Sequence, residues 1–167
     1  MTRLTRDIVI KAPTEKVWKI LADFPNYPAW IRSTTMVPEP NKPDLITFGV
    51  TLVGPNGKSV PWALMARVTS RQPPLLAWKM GYPGFLSVRM TCAVTPHGAG
   101  SEVSYTAEVV GLVPALFPNH FPNLFPVPMT GMLRDLKARA EVGRRSPAPK
   151  PSPRQKNRHG GPPPRRR

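Results

Sequence analysis

Cysteine is nearly absent from this chain of 167 residues, in which Cys92 is the single thiol. One cysteine cannot form an intrachain disulfide or a cysteine-based metal site, and its rarity favours a reducing compartment. No apolar run approaches the roughly 20 residues that a membrane span needs, and the N-terminus lacks the apolar segment of a signal peptide. The composition therefore predicts a soluble, cytoplasmic protein, and no motif calls for a metal or a cofactor.

Acidic residues are also scarce, since nine Asp and Glu stand against 24 Lys and Arg, for a net charge of +15. All nine acidic residues precede Gly143, together with 15 of the basic ones, so the body of the chain is only mildly basic. Residues 144–167 hold the other nine basic residues and no large apolar residue. Such a segment cannot bury enough surface to offset its ordering entropy. We therefore predict a domain at 1–143 and a disordered basic tail at 144–167.

Three interpretations of the basic tail remain open from the sequence. Its charge fits weak contact with nucleic acid or an anionic membrane through counterion release, which would make the protein an interaction module. Its short basic clusters also fit a nuclear localisation signal, and the third interpretation is a solvated appendage without a partner. It contains no aromatic residue, so stacking on bases is excluded. The sequence does not indicate an oligomeric state.

Alternation of apolar and polar residues predicts most of the secondary structure. Residues 4–10 alternate as a strand with one apolar face, whereas 13–24 carry apolar residues at helical spacing and lead into a helical turn that packs Trp30. Several alternating runs separated by turn residues follow between 44 and 110, which is typical of an antiparallel sheet with one wet face. Residues 129–143 show helical spacing again.

The same alternation divides the side chains of the sheet between two faces. The inward set consists of Phe48, Trp62, Leu64, Trp78, Met80, Met90, Cys92 and Tyr105. Arg67, Lys79, Arg89 and Glu108 fall on the opposite, wet face. Almost nothing in the inward set titrates near neutral pH, and the chain has no carboxylate pair, nucleophile elbow or cluster with metal-ligand spacing. These absences favour a binding pocket over an acid–base active site.

Residues 112–128 combine phenylalanine and proline at four-residue steps. Each proline removes a helical hydrogen bond and pushes the preceding residue towards extended geometry, which predicts a broken or extended crossing between the last strand and the last helix. This crossing is either a rigid surface connector or an apolar lid. It carries His120, whose unperturbed pKa near 6.5 would suit proton transfer.

Three stretches resemble the SRPBCC (START-like) superfamily, in particular its polyketide cyclase/dehydrase and coenzyme Q-binding-like group. They are DIVIKAPTEKVWKILADFPNYPAWI at 7–31, GYPGFLSVRMTCAVTP at 81–96 and LKARAE at 136–141. The resemblance implies an α+β helix-grip fold, in which a curved antiparallel β-sheet wraps around a long C-terminal helix with an internal apolar cavity. It also implies a hydrophobic ligand such as a lipid, polyketide, steroid or quinone, since most members bind such molecules and some are cyclases, dehydratases or hydrolases.

The resulting hypothesis is that the protein binds or carries a hydrophobic small molecule in this cavity. The candidate ligand-binding residues are Phe48, Trp62, Leu64, Trp78, Met80, Met90, Tyr105, Phe117, Asn119, His120 and Phe121. The alternative is an enzyme of the polyketide cyclase/dehydratase type, in which His120 or Tyr105 moves a proton while the cavity holds a folded substrate. The sequence leaves open whether the protein is an enzyme.

Overall fold

A computed structural model describes residues 2–53, 57–116 and 125–142 of the chain. Seven strands lie in this part of the chain: β1 (Thr2–Ile10), β2 (Thr34–Glu39), β3 (Lys42–Val53), β4 (Ser59–Gln72), β5 (Leu75–Tyr82), β6 (Leu86–His97) and β7 (Gly100–Val110). They form one antiparallel sheet in the order β1-β7-β6-β5-β4-β3-β2. The helices are α1 (Thr14–Ala22), a 3-10 helix (Phe24–Ala29), α2 (Leu112–Leu116) and α3 (Pro126–Glu141).

The curved sheet packs its apolar face against α3, which confirms the predicted α+β helix-grip fold. The first strand pairs with the last one along its whole length, from Thr2 opposite Val109 to Ile10 opposite Ser101. Helix α3 buries one stripe at helical spacing, as its sequence predicts. The stripe consists of Met129, Met132, Leu133, Leu136 and Ala140.

The C-terminal half of α3 is fixed to the edge strand β1 by hydrogen bonds. The Lys137 ammonium donates to the Val9 carbonyl oxygen over 2.7 Å. A carboxylate oxygen of Glu141 accepts the backbone N–H of Lys11 at the same distance. Lys137 and Glu141 also pair with each other one helical turn apart, at 3.7 Å. These contacts hold the helix across the sheet. At the N-terminal end of α3, Pro128 and Met129 share a small space with residues of β3, β6 and β7.

The turn after α1 packs more deeply than the sequence predicts. The predicted helical turn is the 3-10 helix, which buries Tyr27 completely and Trp30 only in part. The Tyr27 hydroxyl donates to the carbonyl oxygen of Leu21 over 2.6 Å, and its ring meets Phe24 edge to face. A buried phenol with a hydrogen-bond partner stabilises the turn as well as filling space.

Two segments of the chain differ from the prediction. The edge strand β2 was not predicted, because Pro38 and Pro40 interrupt an alternation that buries only Thr34 and Met36. Helix α3 begins at Pro126, three residues before the predicted start at Met129. Prolines are tolerated in the first turn of a helix, where their missing N–H would have no partner anyway.

The Phe/Pro-rich crossing predicted at 112–128 is helical at both ends, because α2 opens it and the first turn of α3 closes it. Residues 117–124 and the predicted tail at 144–167 lie outside the described residues. The lid and the disordered tail therefore stay predictions. None of the helices described is long and apolar enough to cross a membrane.

Candidate functional site

Three aromatic rings form the centre of the concave face. Phe48 on β3 lies 5.7 Å from Trp78 on β5, and Trp78 lies 5.9 Å from Tyr105 on β7, measured between ring centroids. All three side chains are buried. Tilted rings at these distances contribute about 0.5–1.5 kcal/mol per pair beyond their buried area. The predicted inward orientation of these three residues is confirmed.

The other predicted inward residues also face α3, but not to the same depth. Met80, Met90 and Cys92 are buried, whereas Trp62 and Leu64 are half-buried and pack against the rim of the core. The four predicted ligand-binding residues on the crossing lie outside the described residues. They are Phe117, Asn119, His120 and Phe121.

The space between the aromatic rings and α3 is almost filled. A cavity of about 10 Å³ lies there, which has room for about one water molecule at most. Its lining comprises Thr34, Phe48, Val50, Met90, Tyr105, Phe125, Pro128 and Met129. The ligand-sized cavity implied by the resemblance is therefore not formed by the described residues, because the aromatic side chains expected to surround a ligand pack on one another and on α3.

An open groove of about 260 Å³ adjoins this cavity at the edge of the sheet. Thr34 and Val50 line both spaces and are themselves buried, so they form the partition between the groove and the interior. Among the predicted site residues that the structure describes, only Trp62 lines the groove. Arg32 and Ser33 add polar groups to its lining. Sequence reasoning missed Thr34 and Val50 as parts of a site, because Thr34 lies on β2, which was not predicted, and Val50 was not among the candidate ligand-binding residues.

Methionine is frequent in the core around the small cavity. Five of the seven methionines in the chain are buried in the core, and Met90 and Met129 line the cavity directly. Methionine is unbranched and polarizable, so it repacks around irregular shapes more easily than leucine or isoleucine does. The wall between the sheet and α3 is therefore deformable as well as apolar.

Three buried polar atoms have no hydrogen-bond partner among the described residues. They are the indole nitrogens of Trp30 and Trp78 and the hydroxyl oxygen of Ser33. A buried donor without a partner destabilises the fold by roughly 1–3 kcal/mol, so each such atom requires an explanation. Ser33 lines the groove, and Trp78 lies between the rings of Phe48 and Tyr105.

The titratable groups of the interior keep their protons at neutral pH. Burial raises the pKa of the Tyr105 phenol well above its usual value, and the nearby Cys92 and Tyr27 add to the effect. Burial likewise raises the pKa of the Cys92 thiol. Tyr105 is therefore a hydrogen-bond donor and a poor general base. Within the described residues no group of three His, Cys, Asp or Glu side chains is placed to hold a metal ion.

The sheet, the helix that crosses it and the apolar interior between them define a protein of the helix-grip class. The sequence model of the family described as "Polyketide cyclase / dehydrase and lipid transport" matches residues 1–141. The chain therefore belongs to this family. No curated protein matches the sequence significantly.

Solved structures confirm the fold at low sequence identity. A START superfamily protein from Mycobacterium smegmatis superimposes with a TM-score of 0.59 at 16% identity, over 83% of this chain and 97% of that one. A conserved protein from Geobacillus kaustophilus gives a TM-score of 0.60 at 20% identity, over 83% and 95%. The di-domain ARO/CYC protein StfQ of the steffimycin biosynthetic pathway gives 0.59 at 16% identity, over 83% of this chain and 50% of the longer one.

Proposed function

We propose that the protein binds a hydrophobic small molecule that has one polar end, and that the apolar part enters between the sheet and α3. The observation that carries this proposal is that Thr34 and Val50 line both the groove and the small cavity and so form a partition between them. This partition separates a groove of about 260 Å³ from an interior lined by deformable methionines. The groove alone is slightly smaller than typical ligand pockets, which measure about 300–1,000 Å³. Movement of Met90 and Met129 would add the missing volume.

The polar atoms along this path support a ligand with a polar end. Ser33 lines the groove with a hydroxyl that lacks a partner among the described residues, and the exposed Arg32 lies beside it. A carboxylate, carbonyl or hydroxyl of the ligand would accept hydrogen bonds from these groups, while its apolar body would replace the side-chain contacts of the interior. A lipid, a quinone and a polyketide all meet this description.

The cyclase alternative would use the same interior. It requires a group that moves a proton, and the candidates are Tyr105 and His120. Burial keeps the Tyr105 phenol protonated, so it would act as an acid or a hydrogen-bond donor and not as the base. His120 lies outside the described residues. Binding is therefore the function that the described contacts support better.

A pair of matched substitutions tests the proposed path. Val50→Ile adds one methyl group at the partition, whereas Val94→Ile makes the same change at a buried position of β6 that lines neither the groove nor the cavity. One extra methylene in a tight apolar site changes binding by about 1–3 kcal/mol. We expect Val50→Ile to weaken binding about tenfold and Val94→Ile to leave it unchanged.

Titration calorimetry with palmitate, decylubiquinone and emodin provides the measurement, one probe each for a lipid, a quinone and a polyketide. Both variants should unfold at similar temperatures, which controls for general overpacking of the core. If none of the probes binds, or if both substitutions weaken binding equally, the proposed function is wrong.

A further inference from the structure

The turn between β5 and β6 exposes two aromatic side chains. Tyr82 ends β5 and Phe85 precedes β6, and they are 78% and 59% exposed. Large aromatic residues mostly bury their rings, and a contiguous exposed apolar patch marks an interaction surface. The two rings do not belong to the groove or the cavity described above.

Helix α2 extends this exposed apolar surface. Leu112 and Leu116 lie four residues apart, on one face of the helix, and are 56% and 64% exposed. The backbone N–H of Leu112 donates to the carbonyl oxygen of Gly84, and the backbone N–H of Val113 donates to the carbonyl oxygen of Phe85. Both N···O distances are 3.0 Å. These bonds join α2 to the turn, and we call Tyr82, Phe85, Leu112 and Leu116 the apolar tip.

Glycine at position 111 makes this junction possible. Gly111 has a φ of 126°, and a Cβ atom there would lie 2.5 Å from the carbonyl oxygen of Phe85. Only glycine combines this backbone conformation with so close an approach. Backbone contacts thus hold the turn and α2 together, so the four side chains of the apolar tip keep a fixed arrangement.

A row of cations crosses the outer face of the sheet just behind the tip. Arg67, Lys79 and Arg89 occupy directly opposed positions on β4, β5 and β6. Like charges in directly opposed positions destabilise a sheet. Lys79 lies between the two arginines and makes no ion pair among the described residues, whereas Arg67 pairs with Asp44 at 3.4 Å and Arg89 with Glu108 at 3.7 Å.

The charge of this row is positive even after its ion pairs are included. Glu108 is shared between Arg89 and Arg3, the latter also at 3.7 Å, so four cations stand against two carboxylates. We call Arg3, Arg67, Lys79 and Arg89 the cation row. An unbalanced row of like charges gives this exposed face a positive potential that attracts anionic surfaces.

The spacing between the two features matches the depth of a lipid interface. Lys79 precedes Tyr82 by three strand residues, or about 10 Å. Apolar side chains of peripheral proteins enter the boundary between headgroups and acyl chains by about 5–10 Å. With the apolar tip inserted to this depth, Lys79 and Arg89 lie at the level of the lipid headgroups, where anionic lipids attract cations.

We propose that the apolar tip and the cation row together dock this protein on an anionic lipid bilayer. The apolar tip supplies insertion, and the cation row supplies preference for negative headgroups. This inference goes beyond the proposed ligand binding and does not depend on it, since docking requires no molecule in the interior. A bilayer suits the surface better than nucleic acid because bases could stack only on Tyr82 and Phe85, whereas acyl chains would also cover the exposed leucines of α2.

Co-sedimentation of the full chain with lipid vesicles tests the proposal. The vesicles contain phosphatidylcholine alone or with one-third phosphatidylglycerol, and no other ligand is added. We expect the wild type to bind the anionic vesicles. The double variant Tyr82→Ser/Phe85→Ser should bind them at least about tenfold more weakly, because it removes both rings of the apolar tip.

A matched double variant controls for loss of any exposed apolar side chain. Val9 and Val142 are exposed near the end of β1 that lies away from the apolar tip. The double variant Val9→Ser/Val142→Ser should therefore bind like the wild type. Lys79→Gln should weaken binding about fivefold at low salt and have little effect at high salt, whereas Lys42→Gln, on the far end of β3, should change nothing. All variants keep the basic tail, so its contribution cancels in each comparison.

Several outcomes would overturn the proposal. It is wrong if the wild type does not bind anionic vesicles, or if Tyr82→Ser/Phe85→Ser binds them as the wild type does. It is equally wrong if deleting residues 144–167 abolishes binding while the tip substitutions do not, because the tail would then be the membrane contact. Vesicle binding by a protein that binds none of palmitate, decylubiquinone and emodin would instead contradict only the proposed function.

Discussion

Raising the pH from about 8 to about 11 is expected to lower the free energy of unfolding by about 5 kcal/mol. The cause is the burial of one thiol and two phenols, which raises the pKa of Cys92, Tyr27 and Tyr105 in the folded protein. In the unfolded chain these groups lose their protons near their ordinary pKa values, which are 9.0 for the thiol and 10.0 for the phenols. The native state then binds more protons than the unfolded state, so stability is complete below about pH 8.5 and is lost as the pH rises.

Urea denaturation curves at a series of pH values measure this effect. The matched variant Cys92→Ala removes the group that titrates first in the unfolded chain. Its stability should therefore begin to fall about one pH unit later than that of the wild type. A wild-type stability that stays constant up to pH 11 would show that the thiol and the phenols are accessible to water, which would contradict the packed interior.

Leu136→Ala is expected to lower the free energy of unfolding by about 3 kcal/mol and the melting temperature by about 10 °C. Leu136 is completely buried at the centre of the apolar stripe by which α3 contacts the sheet. The substitution removes apolar surface and leaves a cavity that the sheet and the helix cannot fully close. The size of the loss reports how much of the fold depends on the contact between α3 and the sheet.

Val127→Ala is the matched control on the same helix, because Val127 is exposed in the first turn of α3. Its effect on the free energy of unfolding should stay below about 0.5 kcal/mol. Calorimetric unfolding of both variants makes the comparison. Equal and small effects at the two positions would mean that α3 does not pack on the sheet as described.

The sequence was sufficient for the faces of the strands, because alternation has a fixed period of two and does not depend on the rest of the fold. Trp78 on β5 and Tyr105 on β7 were assigned inward from alternation alone, and both are buried. Strand β2 was missed for the opposite reason. It is short, contains Pro38 and presents only two buried positions, too few for a period to show.

The volume of the interior could not be predicted in the same way. Alternation places Phe48, Trp78 and Tyr105 on one face, but whether three rings surround a space or fill it depends on their tilt and on the distance to α3. The rings contact one another and leave about 10 Å³. The partition of Thr34 and Val50 depends on β2 lying beside β3, a long-range pairing that no local pattern encodes.

Proline can end a helix or lie in its first turn, and the sequence alone did not separate these two cases. At Pro126 and Pro128 it lies in the first turn of α3, where it is compatible with the helix, and the predicted start at Met129 was therefore too late. Pro114 lies inside the short α2, whose first two backbone N–H groups, those of Leu112 and Val113, donate to the turn between β5 and β6. Propensity alone treats these positions alike, whereas position within the element decides the outcome.

The methyl NMR spectrum of the methionines tests the proposed binding site most directly. Met90 and Met129 line the small cavity, and Met65 is exposed on the outer face of the sheet. On titration with whichever of palmitate, decylubiquinone and emodin binds most tightly, we expect the methyl signals of Met90 and Met129 to shift together while Met65 stays unchanged. Binding that leaves Met90 and Met129 unperturbed would place the ligand elsewhere and contradict entry between the sheet and α3.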